Sequence, residues 1–172
     1  MGMAPRVRKA MLMTHVASSV GWLGAVVAYL VLAIIGVASS DVVQVRGAYS
    51  VMEPLVWCVL VPMSLVSLAS GLVSALGSLW GLLRHYWVVF KLAINLMATV
   101  VLLLYATSIG HYTDLAAAPS ATVLVELRNP THVVHAGGGL VLLVLALMLS
   151  IYKPRGRTGA GRRDAALARP RR

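Results

Sequence analysis

Five histidines and one lysine set inside an apolar run are the residues of this 172-residue chain best placed to do chemistry. His15 starts a stripe that continues through Ser18 and Ser19 to Trp22, at i, i+3/i+4 and i+7. Trp87, Lys91 and Asn95 follow one another at i, i+4 and i+8. His132 and His135 are spaced i, i+3, just before Gly137-Gly138-Gly139. Neutral imidazole is the commonest protein ligand for haem iron and also suits copper and zinc. A lysine at similar depth supplies the cation a propionate needs, and indole rings and apolar walls suit a porphyrin plane. His15, Lys91, Trp22, Asn95 and Trp87 therefore form a candidate cofactor-binding set. His15, Glu53, His111, His132 and His135 are the candidate metal ligands, for haem iron at His15 and for copper or zinc at the other four. No catalytic residue is assigned.

Those residues are carried by four apolar runs, at about 10–38, 51–77, 86–109 and 131–152. A membrane helix needs about 20 mostly apolar residues, and each run reaches that length. The composition agrees: 59% of residues are hydrophobic, only 12% are charged, and the mean hydropathy is +0.85. Soluble domains carry about 25% charged residues, so most soluble folds are excluded. Open strands facing lipid are not viable either. The expected fold is all-α, an integral membrane four-helix bundle. Short connections at 39–50, 78–85 and 110–130 join the helices. A short interfacial helix is expected at 121–127, and Asn129-Pro130 reads as a stop and restart. The first run is too long for a signal-peptide core, so it is read as an uncleaved helix.

Charge sets the expected orientation. With both termini inside, twelve cations lie on the cytoplasmic side, against Arg46 and Arg128 outside, a strong positive-inside bias. The expected localisation is the cell membrane, multi-pass. Residues 1–152 form the transmembrane domain, and 153–172 a basic, disordered cytoplasmic tail. Eight of the fifteen cations lie in that tail, which is expected to meet anionic lipid headgroups at about 1 kcal/mol per cation. No aromatic residues interleave with the tail's cations, so nucleic acid is not an expected partner. Ser64, Ser67, Gly71, Ser74 and Ser78 make a stripe of small residues on the second helix, suited to close helix packing. The single Cys58 excludes an intrachain disulfide. Phosphate loops, nucleophile elbows and metalloprotease motifs are absent from the sequence.

In this topology His15 and Lys91 share one depth near the cytoplasmic side. Glu53, His111, His132 and His135 gather near the other. His15 and His135 are expected well over 10 Å apart along the membrane normal, given a core of about 30 Å, and so are not expected to share one iron.

The His15-x6-Trp22-x-Gly24 and Tyr86-Trp87-x3-Lys91-Leu92 patterns resemble the four-helix membrane protoporphyrinogen oxidase of the HemJ type, whose architecture is shared with CopD-type copper-resistance membrane proteins. Phrases such as 21–25 (GWLGA), 84–88 (RHYWV) and 134–138 (VHAGG) look closer to an uncharacterised family of predicted integral membrane proteins common in actinobacteria. The likeness to that family covers roughly residues 10–157. The oxidase resemblance implies haem b, with His15 at the ligand position and Lys91 at the functional lysine position. The His132/His135 pair departs from the oxidase pattern. The leading expectation is a haem-b- or porphyrin-binding membrane protein with a redox or porphyrin-handling role, its partner a redox protein or a second copy of itself. The alternatives are a copper- or zinc-handling protein or transporter, and an accessory membrane subunit without catalytic activity.

Overall fold

A computed structural model describes residues 3–77, 81–119 and 123–167. Among them every regular element is helical: α1 (Pro5–Ala38), α2 (Val42–Leu55), α3 (Val61–Leu76), α4 (Tyr86–Ala117), α5 (Val123–Leu127), α6 (Thr131–Tyr152) and α7 (Gly159–Leu167). A π turn at Val56–Leu60 joins α2 to α3 without a break. Pro54 lacks the N–H that would bond one turn back, and the π turn follows directly after it; Pro62 then sits in the first turn of α3.

Four helices are long and apolar enough to cross a membrane: α1, the α2–α3 rod, α4, and the one ending in α6. They form a bundle in which α1 packs on α2, α3 and α6, and α4 packs on the same three. At most 33% of any of these apolar segments is buried inside the bundle. Val20, Leu104, Val141 and Ile151 point outward. Helices that are apolar all round belong in a membrane or in the core of a much larger protein.

The connections differ from the expectation. Residues 42–50, read as a linker, form the first turns of α2. Asp41 caps them by accepting a hydrogen bond from Val43 N at 2.9 Å. Val45, Ala48, Tyr49 and Met52 form their buried stripe, an i, i+3, i+4, i+7 pattern interrupted by Gln44 and Arg46. Likewise α4 continues past 109, so His111 and Asp114 are helical. The short helix expected at 121–127 spans Val123–Leu127, while residues 121 and 122 lie outside the described ones. Leu127 is fully buried under Tyr49, whose hydroxyl donates to the Leu127 carbonyl at 2.7 Å. Arg46 Nη2 donates to the Ala118 carbonyl at 2.7 Å, and Arg128 Nη2 to that of Ser39 at 3.3 Å. Each guanidinium thus satisfies the exposed end of another helix, where cations are favoured.

At the opposite end α6 stops at Lys153, in the left-handed region with φ 42°, ahead of Pro154. The chain then folds back over the α3–α4 connection. Thr158 N donates to the Arg84 carbonyl at 3.1 Å, the Thr158 hydroxyl donates to the Leu83 carbonyl, and Arg157 pairs with His85 in an isolated bridge. Within the segment read as a basic tail, this strap leads into α7 (Gly159–Leu167). Residues 168–172 lie outside the described ones. The strap's partners are backbone carbonyls, which leave no trace in composition.

Candidate functional site

His15 sits on the face of α1 that packs against α3. Its Nδ1 lies 2.9 Å from the Ser67 carbonyl and 3.3 Å from Ser70 Oγ. A carbonyl only accepts, so Nδ1 carries the hydrogen and Nε2 keeps a lone pair. Lys91 Nζ, reaching across from α4, donates to Nε2 at 3.3 Å. Room for the ring comes from Gly71. A Cβ there would stand 2.9 Å from His15 Cε1, closer than real contacts allow. One turn further along, Ser19 and Ser67 share a hydroxyl hydrogen bond at 2.8 Å. Ser64 and Ser67 are fully buried beside them. Ser78, the last of the small-residue stripe, lies outside the described residues.

A cavity of about 260 Å³ opens beside this dyad. Its wall includes Trp87, Asn95 and Lys91 from α4, Ser74 from α3 and Lys153 from the end of α6. The Ser74 hydroxyl is buried there with no hydrogen-bond partner among the described residues. Of the candidate cofactor set, His15, Lys91, Asn95 and Trp87 line this one cavity. Trp22 does not. Two turns further along α1, it is buried on the wall of a second cavity. The stripe that joins it to His15 is real, but it runs through two layers of the bundle.

The candidate metal ligands are spread out. His132 is fully buried. Its Nδ1 meets the Tyr29 hydroxyl at 3.0 Å and the Tyr105 hydroxyl at 3.4 Å. The rings of Tyr49 and Tyr112 stand nearly perpendicular to it, with centroids at 5.5 and 4.7 Å. Its Nε2 is buried without a hydrogen-bond partner among the described residues. His135, one turn on, is exposed; it stacks on Tyr105 at 4.1 Å and donates from Nδ1 to the Thr131 carbonyl at 2.8 Å. His111 is exposed and touches the edge of Tyr112. Glu53 lies over the bare backbone of Gly110. Among the described residues no group of three or more His, Cys, Asp or Glu side chains could hold a metal ion. An i, i+3 pair sits about 60° apart around a helix axis, and here that offset at the edge of the packed face leaves His132 inside the bundle and His135 at its surface.

The two histidine clusters are far apart. Tyr29, which touches His132, is 14 residues beyond His15 on α1, about 20 Å at 1.5 Å per residue. The tyrosines that enclose His132 escaped the sequence reading. Their signal was available: Trp22 and Tyr29 on α1, and Tyr105 and Tyr112 on α4, are each spaced i, i+7.

Fold and site together define a bundle of four long apolar helices with a His–Lys dyad at one end and a histidine enclosed by tyrosines at the other. No family model, curated protein or solved structure matches the chain.

Proposed function

We propose that this is a multi-pass protein of the cell membrane, with both termini cytoplasmic, that binds haem b or a related porphyrin at the His15 cavity. One observation carries the reading: a half-buried imidazole whose Nδ1 is anchored to Ser67 and whose Nε2 lone pair is met by a lysine inside a cavity. The residues fit the group in kind. His15 supplies an iron-ligating nitrogen, and Gly71 leaves the cradle its ring occupies. Lys91 and Lys153 line the cavity as cations suited to carboxylates, and Trp87 contributes an indole. At about 260 Å³ the cavity is smaller than the roughly 300–1,000 Å³ of most ligand sites, so loading requires the surrounding helices to part.

When bound, haem supplies one-electron chemistry at iron. The chain's own contribution is positional. Ser67 fixes the tautomer and aim of His15, as the outer partners of ligating histidines do elsewhere. Lys91 gives up the lone pair and turns to a carboxylate. A lysine held at the centre of a bilayer without an anion costs about 2.5–3.5 kcal/mol, and a carboxylate-bearing ligand relieves whatever share of that cost the half-buried Lys91 bears. The cations of the strap and α7 face the headgroup layer in this orientation and are suited to anionic lipid.

The test is the absorption spectrum of protein purified with haem supplementation. The expected result is a Soret band that His15→Ala abolishes while His132→Ala and His135→Ala retain most of it. A Soret band lost with His135→Ala and kept with His15→Ala moves the haem to the other end. A colourless protein after supplementation refutes the reading.

A further inference from the structure

The second cavity, of about 250 Å³, lies among α1, the π turn, α4 and α6. Among the described residues its wall holds no Lys, Arg, Asp or Glu. Almost all of it is aliphatic or aromatic, which excludes a carboxylate-bearing porphyrin on electrostatic grounds and selects a neutral guest. Three polar side chains interrupt it: Tyr29, Tyr105 and His135. The two tyrosine hydroxyls meet at Nδ1 of the buried His132. His135 donates from Nδ1 to the Thr131 carbonyl, so its Nε2 is an acceptor on a ring that lines the cavity. Trp22 adds a flat face on the α1 side.

The space is shaped by glycine. Gly138 and Gly139 belong to the wall, and a Cβ built on either meets nothing within 4 Å. An apolar cavity of about 150 Å³ takes a benzene ring, so 250 Å³ holds one substituted ring. Val101 of α4 and Val134 and His135 of α6 line the cavity and are also exposed. The cavity therefore reaches the outer surface between α4 and α6, the surface that lipid covers in the proposed membrane orientation. A guest with an apolar tail has a path for that tail there.

We propose that this cavity binds the headgroup of a lipid-soluble quinol. The guest must be uncharged, flat, able to donate to an imidazole nitrogen and to bond a phenol, and attached to an apolar tail. A quinol meets all four conditions: its ring lies against Trp22 and the stacked Tyr105–His135 pair, and one hydroxyl donates to His135 Nε2. A lipid acyl chain fits the apolar wall but leaves the imidazole acceptor unmatched.

The experiment uses the full-length protein in nanodiscs and an azide-bearing decylubiquinol, kept reduced under anaerobic conditions, as photolabel. The expected result is saturable labelling of α4 or α6, displaced by unlabelled decylubiquinol and not by decane. His135→Phe weakens displacement about fivefold, the worth of one ordinary hydrogen bond. Gly139→Leu, which fills the cavity, abolishes saturable labelling, and Ala98→Leu fills it from the facing wall should the first variant fold poorly. Displacement by decane equal to that by decylubiquinol assigns the cavity to an acyl chain and overturns the proposal. Labelling that survives both filled variants places the quinol elsewhere and overturns it too.

Discussion

Nε2 of His15 holds the one lone pair left by the ring's bond to Ser67, and Lys91 takes it. The arrangement depends on Gly71. Gly71→Ala is expected to drive the ring off the Ser67 carbonyl and to cost about 1–3 kcal/mol, the usual penalty of overpacking, read as a lowered thermal unfolding temperature. Gly137→Ala is the control, because its Cβ meets nothing within 4 Å. It should leave stability unchanged or raise it by up to about 1 kcal/mol, the helix advantage of Ala over Gly. At the other cluster Tyr29, the nearer partner of His132, is buried while Tyr105 is partly exposed. Tyr29→Phe should therefore destabilise by more than Tyr105→Phe, by about 1–2 kcal/mol in the same measurement. Sequence spacing made His15 and Lys91 legible because charge and imidazole stand out in an apolar run. Tyrosine does not stand out, because its ring reads as apolar and its hydroxyl is lost in a hydropathy profile.

Helices follow a similar rule of visibility. The four spans were legible as unbroken apolar runs. The first turns of α2 were not, because burial there follows a narrow stripe through Val45, Ala48, Tyr49 and Met52, between polar neighbours. Their start hangs on Asp41, and Asp41→Ala should cost about 1 kcal/mol as a lost N-cap, measured by thermal unfolding. The short α5 has too few residues to hold itself and relies on the Tyr49 hydroxyl. Tyr49→Phe leaves the Leu127 carbonyl without this donor. Backbone amides in α5 should then exchange with solvent at least about fivefold faster, read by hydrogen-exchange mass spectrometry. The strap and α7 were illegible for another reason. A basic, glycine-rich composition resembles a solvated tail, and only the fold brings the carbonyls of Leu83 and Arg84 to Thr158.

For the whole molecule, helix length argues the placement in a bilayer. α6 has 22 residues, about 33 Å, close to the roughly 30 Å hydrocarbon core. α1 has 34 residues, about 51 Å, so in the proposed bilayer placement one end rises out of that layer. The side of α2 and α5 holds Asp41, Arg46, Arg128 and the buried Tyr49, and makes a folded head beyond the start of α6. With the proposed orientation that head faces outside. In a Cys58→Ser background, a cysteine placed at Asp114 should react with a membrane-impermeant maleimide on intact cells, and one at Arg163 should not. The reverse pattern inverts the topology and exchanges the compartments of the two cavities.

The strap from Lys153 to Thr158 ties the last long helix to the turn between α3 and α4. Arg46, Arg128 and Tyr49 fasten the opposite end. The molecule is thus a bundle hooped at top and bottom. In the proposed membrane placement, a guest for either hollow would arrive edgeways at the waist, out of the oily layer rather than from water. Uptake should then keep pace with the fluidity of the surrounding lipid, and freezing the acyl chains should stall loading of a protein whose own fold is unchanged.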